Sequence, residues 1–212
     1  MGIALVQERT PELMDQLFAL WRRSVEATHD FLGPADIDRI ATYVPDALQG
    51  VGQLAVATDG TGTPLGFAGV NGETLEMLFV DPAARGQGVG RALLTFAVQD
   101  LGARLLDVNE QNPQARGFYE HCGWRVIGRS ETDGQGEPYP LLHLELPPSP
   151  EELAKARRQI DSTLHKLRAT LETLEAKDDP NRYKSQITLA RRRIQAFGLA
   201  NRLIEREINR ED

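Results

Sequence analysis

Seven consecutive residues, Arg85-Gly86-Gln87-Gly88-Val89-Gly90-Arg91, have the composition of an anion cradle. Alternate glycines let a backbone approach phosphate oxygens closely. The apolar spacing from Arg91 to Leu101 predicts a helix directly behind them. The first backbone N–H groups of a helix have no intrahelical partner and lie at the positive end of its dipole. Such an array holds negatively charged oxygens, and Arg85 and Arg91 add positive charge beside it. Two nucleotide readings fail. The loop begins near residue 85, after a meander of strands rather than in a first strand–helix–strand unit, which argues against a dinucleotide fold. No Gly-Lys-Ser/Thr follows it, so it is not a P-loop.

The elements that must position this loop alternate between helix and strand up to Leu146. Ile3–Gln7 reads as a strand. Thr10-Pro11-Glu12 reads as an N-cap with Pro in the first turn, opening a helix through Leu13, Leu17, Leu20 and Trp21. Asp36–Leu48 reads as a second helix. Gln53–Thr58 and Pro64–Asn71 read as a hairpin around Asp59-Gly60-Thr61-Gly62-Thr63. Thr74–Val80 is the strand that Asp81-Pro82 ends just before the loop. Leu105–Asn109 is a short strand and Pro113–Cys122 a helix closed by Gly123. Arg125–Glu131 and Leu141–Leu146 complete the set.

These residues resemble the GNAT acetyltransferases. Arg85-Gly86-Gln87-Gly88-Val89-Gly90 is similar to that family's Arg/Gln-x-x-Gly-x-Gly/Ala signature, and Leu78-Phe79-Val80-Asp81-Pro82 to the strand leading into it. Asn109-Glu110-Gln111-Asn112 and Gly117-Phe118-Tyr119-Glu120-His121-Cys122-Gly123-Trp124 are similar to two later elements in the same order. Within the family, Ser24–Leu32 and Gly136–Leu142 look similar to segments of a bacterial YjaB-type branch. The resemblance covers roughly 1–147. It implies acetyl-CoA as co-substrate and a primary amine as acceptor: a protein lysine, an N-terminus or a small amine. It also implies that Leu78, Phe79 and Val80 run beside the pantetheine arm and that backbone N–H groups from Gly86 to Arg91 hold the pyrophosphate. Asn112 and Phe118 would contact the same arm, and Tyr119 would protonate the departing thiolate.

The reaction also needs a group to take a proton from the amine. Asp107 lies twelve positions before Tyr119, where ribosomal-protein-type members of the family carry an acid. Glu76 has the strand parity of Leu78 and Val80 and would enter the cleft. His29 has a suitable titration range. Asp107, Glu76 and His29 stand level, beside a relay through bulk water. Trp21, Thr28, His29 and Phe31 are candidates for the amine pocket, although Trp21 fits the core stripe of its helix better. Cys122 fills a small apolar slot before Gly123, and with a single cysteine and four scattered histidines no metal site is expected.

Charge and composition bound the rest. Residues 1–148 hold ten Arg, no Lys and twenty Asp/Glu, a net of −10, whereas 149–212 carry a net of +3. An acidic body disfavours nucleic acid and suits a cationic acceptor. Arg191-Arg192-Arg193, without interleaved aromatics, reads as a solvated helix face. No apolar run reaches membrane-span length and no secretory signal opens the chain, so a reducing cytoplasm is the expected setting. After Leu146-Pro147-Pro148-Ser149-Pro150 the pattern changes. Leu153, Ala156, Ile160, Leu164, Leu167, Leu171 and Leu174 form one seam, and Tyr183, Ile187, Ala190, Ile194, Phe197, Ile204 and Ile208 a second. Together they predict an antiparallel helical hairpin that packs on the body, a partner or a second copy as a homodimer. The expected fold class is α/β (α+β) of the GNAT type: a mixed, mostly antiparallel sheet flanked by helices over 1–147, then the hairpin over 148–212. A rival function is a CoA-binding sensor or scaffold with the hairpin as its working part.

Overall fold

In the computed structural model, which describes residues 1–209, one sheet contains the strands β1 (Gly2–Leu5), β2 (Gln53–Thr58), β3 (Pro64–Asn71), β4 (Thr74–Val80), β5 (Leu105–Asn109), β6 (Arg125–Ser130) and β7 (Leu141–Glu145). Their order is β1-β2-β3-β4-β5-β7-β6. Every pairing is antiparallel except β4 with β5, as the mixed sheet read from the sequence requires. The chain divides into two compact units, Met1–Pro147 and Pro148–Asp212.

The helices of the first unit are α1 (Pro11–Glu26), α2 (Pro34–Ala41), α3 (Val44–Gly50), α4 (Val89–Gln99) and α5 (Pro113–His121). Thr10 caps α1 by accepting the Leu13 N–H, with Pro11 in the first turn. The single helix expected over Asp36–Leu48 is two. Pro45 has no N–H for the carbonyl of Ala41 and its ring collides with that carbonyl, so the first helix stops and a new one starts with Pro45 in its opening turn. One face of the sheet packs against α1, α2 and α3, burying Leu17, Leu20, Trp21, Leu48 and Phe67. The other packs against α4 and α5 around Leu93, Ala97, Leu106 and Trp124.

Two features of β4 distinguish it from a regular strand. Its pairing with β3 runs Gly69↔Met77 and then Val70↔Leu75, so Glu76 is an extra residue bulged out of the ladder. As a result Leu75, Leu78 and Val80 pack in the α4/α5 core while Met77 and Phe79 pack in the other. Leu75 therefore shares a face with Leu78 and Val80 although an odd number of residues separates it from them, which breaks the simple alternation along the strand, and Glu76 lines the cleft beside Leu78 and Val80. Second, β4 pairs with β5 at Thr74↔Leu105 and Leu75↔Leu106 and then diverges from it.

The second unit is a pair of helices, α6 (Pro150–Glu175) and α7 (Lys184–Ile208). Ser149 and Glu152 form a reciprocal capping box at the start of α6. Leu164, Ile187 and Ala190 are buried in the seam, whereas Ile208 at the end of α7 is exposed. Arg157 pairs with Glu205, Asn201 donates to Asp161, and Arg191 pairs with Glu175, an order that runs oppositely along the two helices and fixes them antiparallel.

Candidate active site

The divergence of β4 and β5 opens a cleft of about 510 Å3. Met77, Leu78, Phe79 and Val80 line one wall, and Asp107, Val108 and Asn109 the other. Asn112, Phe118 and Tyr119 of α5 close it, and Arg85, Gly86, Gly88, Val89, Gly90 and Arg91 form one end. Past Leu75 the β5 side of the β4 backbone faces this space rather than a neighbouring strand.

The glycine loop takes its shape from backbone geometry. Gly86 and Gly88 have φ of 75° and 82°, left-handed values that side chains disfavour, and nothing lies within 4 Å of where a Cβ would stand on either. Gly88 is the N-cap of α4, so the helix starts two residues earlier than its apolar spacing suggested. The first helical bond is Ala92 N–H to Gly88 C=O. The N–H groups of Val89, Gly90 and Arg91 thus lie in the first turn with no carbonyl one turn back to accept them. Gln87 is exposed and donates to the Ala83 carbonyl, so its side chain braces the loop and does not line the cleft.

Tyr119 is buried, edge-on to Phe118 at 5.2 Å and to Trp124 at 6.1 Å between ring centres. Burial, with a smaller contribution from Cys122, pushes its phenol well above the ordinary tyrosine range. The hydroxyl is held in its protonated form, as a donor. Asn112 is buried at the N-cap of α5, where Oδ1 accepts the Ala115 N–H. Its Nδ2 amide is what remains for a ligand. Cys122 caps α5 and is half-buried, and burial raises its thiol against the opposing charge of Arg91, consistent with a packing role.

On the opposite side, Thr28 and His29 line the cleft. The Thr28 hydroxyl donates to Ser24 C=O at 2.8 Å, and its oxygen is 2.8 Å from His29 Nδ1. With its one proton committed to Ser24, Thr28 accepts from His29, which places the ring proton on Nδ1 and the lone pair on Nε2. Burial pulls the His29 imidazole below its ordinary value against the opposing charge of Asp30. A histidine depressed in this way binds protons more readily when unfolded. Stability is then full above about pH 6.5 and falls as pH drops through that value. His29→Gln is expected to flatten the fall in Tm between about pH 7.5 and 5.5. An unchanged slope would assign the loss to other groups.

Trp21 and Phe31 do not line the cleft. Trp21 is buried and stacked on Phe18, because it belongs to the apolar stripe of α1 that meets the sheet. Phe31 stands 5.3 Å from His29 and 6.2 Å from Tyr139, so it belongs to an aromatic group beside the cleft wall. Ser24 was missed. It is a buried polar residue that lines the cleft, on the same stripe as Leu17, Leu20 and Trp21, and a serine at an apolar position was its only mark. Glu76 and Asp107 both line the cleft. Among the described residues no cluster of three or more His, Cys, Asp or Glu is arranged to hold a metal ion.

Comparison with known proteins agrees with this geometry. A family model described as acetyltransferase (GNAT) domain matches residues 50–126. Over 133 residues the chain is 46% identical to a Salmonella typhimurium (strain LT2) protein named peptidyl-lysine N-acetyltransferase YjaB, covering 63% of this chain and 91% of that one. The chain belongs to the GNAT acetyltransferase family and is an N-acetyltransferase. The Escherichia coli (strain K12) protein of the same name is 43% identical over 134 residues, 61% of this chain and 88% of that one. The solution structure of apo-form YjaB from Escherichia coli superposes with a TM-score of 0.63 at 41% identity, covering 70% of this chain and all of that one.

Proposed function

We propose that the Met1–Pro147 unit transfers acetyl from acetyl-CoA to a primary amine, with a protein lysine as the acceptor. The observation that carries this reading is one cleft with an anion cradle at one end and a buried, protonated phenol on its wall. When bound, acetyl-CoA supplies the acetyl group as a thioester whose sulfur departs as a thiol. The residues present fit it. The left-handed glycines and the first turn of α4 offer N–H groups to a diphosphate, and Arg85 and Arg91 add charge. The β5-facing backbone of Leu78 and Val80 offers donors and acceptors to an extended amide chain, with Asn112 and Phe118 opposite. Tyr119 donates a proton toward the sulfur.

The acceptor end supports a cationic amine. Glu76 and Asp107 place two carboxylates in the cleft, and His29 presents a neutral ring. An ammonium entering there meets opposite charge and at least one group able to take its proton. A lysine follows from the likeness to proteins named for peptidyl-lysine transfer.

The test is transfer itself. The purified protein is incubated with acetyl-CoA and, separately, a lysine-containing peptide with a blocked N-terminus, a peptide whose only amine is its N-terminus, and a small polyamine. Release of free CoA and a mass gain on the blocked lysine peptide are expected. Turnover confined to the other two amines would overturn the lysine assignment. No turnover with any amine would overturn the transferase reading.

A further inference from the structure

Asp107 is the first member of a hydrogen-bonded chain that crosses three strands. His143 on β7 is its register partner, and His143 Nδ1 lies 2.6 Å from Asp107 Oδ1. On the far side of the same ring, Nε2 lies 2.7 Å from Ser130 Oγ on β6. Gly128 makes this reach possible. It is the β6 register partner of His143, and a methyl group there would stand 3.3 Å from the imidazole Cδ2. Without a side chain at 128, the ring lies across β6 toward Ser130. Asp107 lines the cleft, whereas His143 and Ser130 do not. The chain therefore begins at the cleft wall and ends on the edge strand of the sheet.

The order carboxylate, imidazole, hydroxyl also occurs in nucleophilic triads. Here the hydroxyl is the member outside the cleft and the carboxylate the member within it, which reverses the working end. We infer that Asp107 is the proton acceptor for the incoming amine, and that His143 and Ser130 are its positioning residues. This inference rests on the acetyl-transfer reading above. The imidazole donates its Nδ1 proton to Asp107 Oδ1 and accepts the Ser130 hydroxyl proton at Nε2, which fixes one tautomer. Oδ2 is left for the substrate. In the step itself an N–H bond of the acceptor ammonium breaks and an O–H bond forms at Asp107 Oδ2. The nitrogen keeps the electron pair as its nucleophilic lone pair, and the carboxyl later returns the proton to solvent. His143 holds the carboxylate in one rotamer, so the accepting oxygen meets the amine where the acetyl group is presented.

Two measurements test this. In the ligand-free protein, imidazole nitrogen shifts read through the ring carbon-bound protons report the tautomer. The Nδ1–H form is expected for His143, with both Asp107→Asn and Ser130→Ala shifting it toward a mixture. In turnover, Asp107→Asn should lower kcat about 10²-fold. His143→Leu should lower it about tenfold with the KM for acetyl-CoA unchanged. His143→Asn, whose amide can still donate at the Nδ1 position, should recover most of that loss. Glu76→Gln and His29→Gln should cost less than Asp107→Asn. An Nε2–H tautomer in the wild type, a His143→Leu enzyme at full rate, or a His143→Asn enzyme as slow as His143→Leu would each overturn the inference. A wild type inert toward every amine would instead end the transferase reading, and the tautomer measurement would still decide the chain.

Discussion

Replacing Tyr119 with phenylalanine is expected to lower kcat about 10²-fold while leaving acetyl-CoA affinity within about twofold. The substitution removes one oxygen and keeps the ring. The edge-on contacts with Phe118 and Trp124 survive, as does the packing of α5 on the sheet, so folding and the cleft wall are preserved. What is lost is a proton held ready. Burial disfavours the phenolate, so the wild-type hydroxyl stays protonated through the neutral range and adds no limb of its own to a pH–rate profile there. The departing sulfur is already a good leaving group, which puts the expected effect at the low end of general acid catalysis. Steady-state kinetics with a saturating lysine peptide, together with calorimetry of acetyl-CoA binding, separates the terms. A kcat within twofold of wild type would show that sulfur takes its proton elsewhere. A parallel loss of affinity would show that the hydroxyl binds rather than donates.

The elements that carry this chemistry were legible where the signal was local. The hairpin of β2 and β3 was bounded by its Asp-Gly-Thr-Gly-Thr turn, and β4 and β5 by Asp81-Pro82 and by the Asn109–Asn112 turn, so their limits agree with the sequence reading. The glycine loop was legible because composition alone permits its left-handed backbone. Features that depend on a second strand were not. The bulge at Glu76 is a property of the β3/β4 register, and no spacing within Thr74–Val80 announces it. Trp21 fitted a core stripe better than a pocket position, and the packing of α1 on the sheet places it in the core. The partners of Asp107 lie 36 and 23 residues away in sequence, at His143 and Ser130. They meet it because β7 inserts between β5 and β6, an order that the chain sequence of those strands does not imply.

The two halves of the cleft differ in how they can be disabled. The acceptor half depends on side chains, and its losses should appear in kcat. The donor half depends on backbone, so its sensitive positions are glycines, and their losses should appear in binding.

Gly88 is the position where this should be largest. It has φ of 82° and ψ of 0° at the N-cap of α4. A side chain there meets no atom within 4 Å, so the cost of Gly88→Ala is backbone strain alone, about 1–2 kcal/mol. The loop can relieve that strain by leaving the left-handed region, which tilts the first turn of α4 and misaligns the N–H groups of Val89, Gly90 and Arg91. Either way the bound geometry is disfavoured by an amount near 1.4 kcal/mol, or about tenfold in affinity for acetyl-CoA. Gly88→Asp adds a carboxylate beside the same array and should weaken binding about 10²-fold at low ionic strength. Part of that loss should return as salt screens the repulsion. S-acetyl-pantetheine, which lacks the diphosphate, provides the control. Its turnover should be nearly the same in wild type and Gly88→Asp, because nothing in it reaches the loop. If Gly88→Asp bound acetyl-CoA as tightly as wild type, the diphosphate would be held elsewhere. If the truncated donor lost turnover to the same extent as acetyl-CoA, the substitution would be acting on the fold of α4 rather than on the cradle.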